Sequence, residues 1–339
     1  LQDHWRVKIR LATFNLETLD DRTPGFEDRL ALLRPQFQRL EADILCLQEV
    51  NAVEDSKHGP RHLTALKRLI AGSAYEDFTQ ICSLNRPSLR PADRHNLVVL
   101  SRLPVMAWRQ VWHDLVPPPL HRMVTANPAC EAPQPVEWDR PLLHLEISLA
   151  PGQTLHLLNL HLRAPRAAFV PGGKESSERW QDAASWAEGF FLAGIKRSGQ
   201  ALEARLIVDA LFDADPDALI AVTGDFNATD GETPVRTIRG DAEDTGNPRL
   251  AKRTLVGLER ALPGENRFSV IHHGRPMLLD HLLVSRALLG CFRGIEAHNE
   301  TLGDELVSPL LIHGTGESYH APLVAAFEIP PLSAAPHVD

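Results

Sequence analysis

Asp225 and Asn227 stand two residues apart in the run Val222-Thr223-Gly224-Asp225-Phe226-Asn227-Ala228. On an extended chain that spacing puts a carboxylate and an amide on one side. A carboxylate can orient or deprotonate a water, and an amide beside it can hold a phosphoryl oxygen. Gly224 permits a sharp exit from the strand. Asn159 and His161 share a side in the same way within Asn159-Leu160-His161-Leu162. Such a His either contacts a phosphate oxygen or is a core imidazole satisfied by Asn159. Glu49, in Leu47-Gln48-Glu49-Val50, is a carboxylate between apolar neighbours; a hard cation would compensate it, and an exposed loop position would equally explain it. Asn15 in Thr13-Phe14-Asn15-Leu16 is a turn residue or a site residue. Asp280 in Leu279-Asp280-His281 and His320 in Ser318-Tyr319-His320-Ala321-Pro322 can pair, which fixes a His tautomer and favours its cation. Alternation sends His281 to the face opposite Asp280.

Each of these groups interrupts an apolar run, so strands must position them. Strand-like runs cover 7–16, 43–50, 97–100, 105–108, 142–149, 154–162, 218–223, 276–284 and 322–327. The runs at 97–100 and 105–108 read as a pair around a turn at Arg102-Leu103-Pro104. Amphipathic spacing predicts helices over 26–40 and around Leu63, Leu66, Leu69 and Ile70. A longer helix is expected over 177–212, broken near Gly199. Residues 116–141 are dense in proline and read as a long surface loop or insertion. Residues 170–178, with Gly172-Gly173, suit a lid beside the site. The alternation of strands and helices predicts a mixed α/β (α+β) chain, and no composition shift divides residues 1–339 into more than a single domain.

With 43% hydrophobic and 23% charged residues, the chain has the composition of a protein with a full core. Its aromatic content of 6%, with two Tyr, offers no obvious stacking platform for single-stranded nucleic acid. A net charge of −9 repels polyanions at long range, so nucleic-acid contact needs a bound metal or a locally basic rim. Arg163, Arg166, Lys174 and Arg179 supply such a rim, or are ordinary solvated charge. Cys46, Cys82, Cys130 and Cys291 form no C-x-x-C pair and read as free thiols of a reducing, cytoplasmic compartment. No stretch is apolar enough to span a bilayer, and no signal-peptide pattern opens the chain. Because it starts at Leu1, a removed leader stays open.

In their order along the chain, these segments resemble the endonuclease/exonuclease/phosphatase superfamily, which has the DNase I-like fold. The matching stretches are Ala12 to Leu16, Leu47 to Val50, Leu100 to Pro104, Asn159 to Leu162, Gly224 to Ala228, Leu279 to Ser285 and Ser318 to Pro322. The resemblance implies a four-layer sandwich of two packed mixed β-sheets flanked by helices, with a cleft at one end. It implies Glu49 as the principal Mg²⁺ ligand with Asn15 beside it, Mn²⁺ being a substitute metal. Asp225 would orient or deprotonate water, Asn227 and His161 would hold phosphoryl oxygens, and His320, oriented by Asp280, would stabilise charge on phosphorus. Asp225 and His320 stand as joint candidates for general base. One departure is Tyr319, where the family usually has Asp before the final His; a lost carboxylate there would weaken a second metal position. The activity implied is a metal-dependent nuclease or phosphodiesterase. A phosphatase or phospholipase-like esterase is the alternative, and an inactive ligand-binding member the third reading. The partner implied is a phosphoester substrate, nucleic acid among them, with no protein partner.

Overall fold

The apolar runs become two six-stranded sheets. The computed structural model describes residues 6–54, 59–86, 88–304 and 318–331. In chain order the strands of these sheets are β1 (Val7–Leu19), β2 (Ile44–Val50), β3 (Thr79–Cys82), β4 (Asn96–Ser101), β5 (Val105–Val111) and β6 (Leu142–Ala150). They continue as β7 (Gln153–His161), β8 (Leu219–Asp225), β9 (Val256–Gly257), β10 (Asp280–Val284), β11 (Phe292–Ala297) and β12 (Leu323–Ile329). The longer helices are α1 (Phe26–Leu40), α2 (Thr64–Ile70), α3 (Ala183–Ala214) and α4 (Thr233–Arg239).

The first sheet runs β11-β12-β1-β2-β4-β3 and the second β9-β10-β8-β7-β6-β5. Each has one parallel pair at its centre, β1 with β2 and β7 with β8, and antiparallel neighbours on both sides. A parallel pair needs a crossover, and α1 and α3 lie on those two connections. Because period-2 alternation sorts side chains by face, Ile9, Leu11, Ile44 and Cys46 of one sheet meet Leu143, Leu145, Leu157 and Leu282 of the other in a shared core. The opposite faces are covered by helices. Phe14, Leu45 and Leu47 pack with α1 residues Leu30, Leu33 and Phe37, and Leu158, Leu160 and Val222 pack with α3 residues Ala204, Ile207 and Val208. The layers are therefore helix, sheet, sheet, helix.

The expected strands and helices form, with informative departures. The runs at 97–100 and 105–108 do not pair with each other: β4 belongs to the first sheet and β5 to the second. The turn between them carries the chain across, with Arg102 paired to Asp43 at 2.6 Å. The 276–284 run splits into Arg275–Met277 and β10. Helix α3 starts at Ala183, where the Asp182 carboxylate accepts the Ser185 N–H at 2.7 Å, and it runs unbroken through Gly199. A Cβ at Gly199 would lie 2.5 Å from the Trp138 ring, so glycine here admits an aromatic ring and does not end the helix.

Residues 112–141 are more than a surface loop. Glu203 of α3, wholly buried, accepts the N–H groups of His113 and Leu115 and the Trp138 indole N–H, the last at 3.1 Å. Glu188, nearer the start of the same helix, accepts the N–H groups of Val124 and Thr125 and pairs with His121 at 2.8 Å. Two helix carboxylates thus anchor the segment beside its short ladder of Leu120–His121 with Gln134–Pro135. The 170–178 segment is tied down as well: the Asn127 N–H donates to Pro171 O at 2.8 Å, and Val170 is buried. It is an anchored loop, where the sequence suggested a lid.

Candidate active site

In each parallel pair both carboxyl ends point the same way, so Asn15 of β1, Glu49 of β2, His161 of β7 and Asp225 of β8 lie at one edge of the sandwich. Strands β10 and β12 run antiparallel to their neighbours, which brings their starts, Asp280 and the residues at 318–320, to that same edge. All the sequence-derived residues come together there. Alternation places Thr13, Asn15, Asn159, His161, Asp225 and Asp280 on the faces between the sheets. Glu49 is the exception, since its neighbours Leu45 and Leu47 face α1. A left-handed backbone at Glu49 (φ 60°) and a register shift between Leu47 and Val50 turn its carboxylate into the cleft.

A polar layer floors the cleft. The Gln48 amide donates to Asn159 Oδ1 at 2.8 Å, and the Asn159 amide donates to the carbonyls of Leu47 and Val98. Asn159 is therefore structural, bridging the two sheets. Above it, Asn15 Nδ2 donates to Asp225 Oδ2 at 3.0 Å and to Glu49 Oε1 at 3.4 Å, which sets the spacing of the two carboxylates. The other Asn15 atom, Oδ1, accepts the Glu17 N–H at 2.8 Å. Glu49 Oε2 accepts the Thr18 N–H and hydroxyl and lies 3.2 Å from His95 Nδ1. His161 Nε2 sits 3.3 Å from Asp225 Oδ2 and 3.7 Å from Glu49 Oε1. Asn227, at φ 48°, donates its N–H to Asp225 Oδ1 at 2.7 Å and its amide to Asp225 Oδ2 at 3.0 Å. Gly224 brings this turn close: at φ 137° it presses on β7, and a Cβ would fall 1.9 Å from Leu160 O. Across the cleft His320 Nδ1 meets Asp280 Oδ2 at 2.8 Å. The Ser318 hydroxyl donates to Asn15 O at 2.7 Å and ties the His320 segment to β1.

The charges divide the roles. Burial opposes the His320 cation, yet Asp280, Asp225 and Glu17 around it raise the imidazole to about 10. Burial raises Asp225 to about 7; the His320 charge opposes this, while Asp280 and Glu49 add to it. Burial and the Arg140 charge hold His161 well below its ordinary value, hence neutral. Burial would raise Glu49, but the close contact with His95 and the Arg140 charge leave it lowered and ionised. The site thus holds a carboxylate able to take a proton beside an imidazolium.

Several contributors were not foreseen. Glu17 accepts the Tyr319 N–H at 2.9 Å and its charge acts on His320. A carboxylate is therefore present next to His320 although residue 319 is not Asp. Arg140 donates to His161 O at 3.3 Å, and Arg197 of α3 donates to Asn227 O at 2.5 Å. Glu17 stood two residues from Asn15, a signal that was available; Arg140 and Arg197 carry none in the sequence. His281 does face away from Asp280, held by Glu259 at 2.6 Å and by Ala228 O at 2.8 Å. Within the expected basic rim, Arg163 pairs with Asp139 and Arg179 with Glu175, while Lys174 donates to Ser177 O.

The donor chemistry fits a hard divalent cation. Glu17, Glu49, Asp225 and Asp280 concentrate carboxylate oxygen in one cleft, and buried Asp280 Oδ1 has no hydrogen-bond partner. Donor atoms of Asp225, Asp280 and His320 lie within 4.8 Å of one another.

The profile of the Endonuclease/Exonuclease/phosphatase family matches residues 12–300. No curated protein matches the chain. Among solved structures, truncated Caenorhabditis elegans TDP2 aligns with a TM-score of 0.54 at 17% identity, covering 95% of this chain and 98% of that one. An endonuclease/exonuclease/phosphatase from Bacteroides vulgatus gives 0.54 at 18% identity, covering 95% and 99%. A variant of the 3′ phosphatase NExo from Neisseria, bound to a product DNA hairpin, gives 0.50 at 16%, covering 94% and 99%. At these identities the likeness is one of fold.

Proposed function

The chain belongs to the endonuclease/exonuclease/phosphatase family, hydrolases of phosphoester bonds with a DNase I-like fold, and from that premise we propose that it is a Mg²⁺-dependent nuclease or phosphodiesterase. The observation that carries this reading is the convergence of Asn15, Glu49, His161, Asp225, Asn227, Asp280 and His320 on one cleft. Glu49, spaced by Asn15, would hold the ion. Bound there, Mg²⁺ supplies a Lewis acid that draws charge from a phosphoryl oxygen. Asp225, raised to about 7, accepts a proton from the attacking water or orients it. Neutral His161 offers an N–H donor to a phosphoryl oxygen, and Asn227 would do so by releasing its amide bond to Leu162 O or Asp225 Oδ2. His320, with Nδ1 bonded to Asp280, is left with Nε2 to face the charge that builds on phosphorus. The free state of the four cysteines supports a cytoplasmic placement. Among the described residues no helix is long and apolar enough to cross a membrane.

A second reading, a phosphatase or esterase acting on a small phosphorylated molecule, draws on the paired rim. Arginines already bonded to Asp139 and Glu175 give a long polyanion little to follow. One assay series separates the two. Plasmid, single-stranded DNA, RNA, 3′-phosphorylated DNA, a bis-aryl phosphodiester and an inositol phosphate are offered with Mg²⁺ and with EDTA. Cleavage of nucleic acid in Mg²⁺ alone supports the nuclease; turnover of the diester or inositol phosphate with all nucleic acids untouched sinks it.

A further inference from the structure

On the outer face of the second sheet, β6 and β7 bring His144, Glu146 and His156 together. His144 and Glu146 are two apart on β6, so they share a face, and Glu146 is the cross-strand partner of His156. Leu143, Leu145, Leu155 and Leu157 point the other way, into the core between the sheets, and fix the register of the trio. One donor atom from each of the three lies within 4.8 Å of the others. His144 is only 4% exposed, and its Nε2 is 3.3 Å from His156 Nδ1. That is long for a hydrogen bond. It is also the separation of two nitrogens that each sit about 2.0–2.1 Å from one tetrahedral ion, roughly 3.3 Å.

We propose that His144, His156 and Glu146 form a second cation site, for a borderline divalent metal of the zinc class, with a fourth position open to water. Two imidazoles and one carboxylate select such an ion over Mg²⁺, which prefers oxygen. The partly buried Glu146 carboxylate closes on the ion by rotating. The exposed Arg109, whose Nε lies 3.4 Å from His144 Nδ1, must swing away, because a metal on Nε2 moves the ring proton to Nδ1. Five residues along β7 separate His156 from His161, about 16 Å, so this ion is independent of the cleft. Its effect is to clip β6 to β7.

The test is a titration of the full chain with Co²⁺ in millimolar Mg²⁺, read by its visible ligand-field bands, followed by displacement with Zn²⁺. One Mg²⁺-insensitive site is expected, with bands of tetrahedral intensity. It should persist in Glu49→Ala, vanish in His156→Ala and weaken by about tenfold or more in Glu146→Ala, while His156→Ala keeps the wild-type rate of phosphoester turnover. Zn²⁺ should also raise the melting temperature of the wild type and leave that of His156→Ala unchanged. Cobalt that Mg²⁺ displaces, that Glu49→Ala removes, or that His156→Ala still binds would overturn the site, as would no uptake below millimolar Co²⁺. These metal-binding readouts do not depend on any catalytic activity.

Discussion

A carboxylate at the end of a strand gains chemical meaning from what its backbone does next. Glu49 would face α1 if β2 stayed regular; a single left-handed residue sends it to the cleft, where Thr18, His95 and Asn15 hold both oxygens. Glu49→Ala should lower turnover by about 10³-fold or more while the fold, checked by circular dichroism, stays intact, since no core contact is removed. His320→Ala should cost about 10²–10⁴-fold, checked by kcat under saturating substrate. Near wild-type rates in either variant would disprove the site. Asp280→Asn keeps the shape but removes the charge that raises His320, so its rate should fall mainly through kcat. Tyr319→Asp tests whether Glu17 already serves beside His320: an unchanged Mg²⁺ titration is expected, because the second carboxylate is in place. Much of this site was legible from period-2 spacing, which correctly paired Asn159 with His161 in direction and opposed His281 to Asp280. The spacing did not separate their roles, and Asn159 proves to be a bridge between sheets. His95 and Arg140 stayed hidden because they enter from irregular backbone, where no periodicity assigns a face.

Helix α3 shows how an element holds what cannot hold itself. Its Glu203 and Glu188 accept backbone N–H groups from a proline-dense segment, and that segment in turn delivers Trp138 and Arg140. Glu203→Ala would strand the buried Trp138 indole N–H and the part-buried N–H groups of His113 and Leu115, and should cost about 2–4 kcal/mol in chemical denaturation. Glu188 adds a pH signature. Burial raises its carboxyl, but the bonds from Thr125, His121 and Val124 win and hold it at about 2, below the ordinary 4.5. Its stabilising contribution is therefore full above pH 4.5 and lost as pH falls towards 2. Denaturation of wild type and Glu188→Gln across that window should show their stability gap closing as acid is added; a constant gap would mean the carboxylate's charge is irrelevant. The sequence marked the segment as irregular from its prolines. It could not mark its anchors, because a glutamate on a long helix looks the same whether it faces solvent or a buried amide. Gly199 misled for a related reason: glycine signals a break or a close approach, and only the Trp138 ring decides which.

At the scale of the whole molecule, both sheets follow one plan: a central parallel pair with antiparallel flanks. Removing divalent ions with EDTA should abolish turnover, and adding Mg²⁺ back should restore it and raise the melting temperature, as expected for a ligand bound only by the folded state. Alternating strands and helices made the layered fold readable, whereas the crossing from β4 to β5 was not, since two neighbouring strands usually pair. The first sheet also has an unusual order of completion. Its central β1 is made before the other strands, yet one edge of β1 is filled only by β12, in register from Val7 with Ile329 to Thr13 with Leu323. The loop that must close for this pairing spans nearly the whole chain, a late and entropically slow event. His320 sits just ahead of β12 and arrives with it. During synthesis, then, the proposed centre would lack His320 until β12 docks, so the proposed activity should appear only with that last strand.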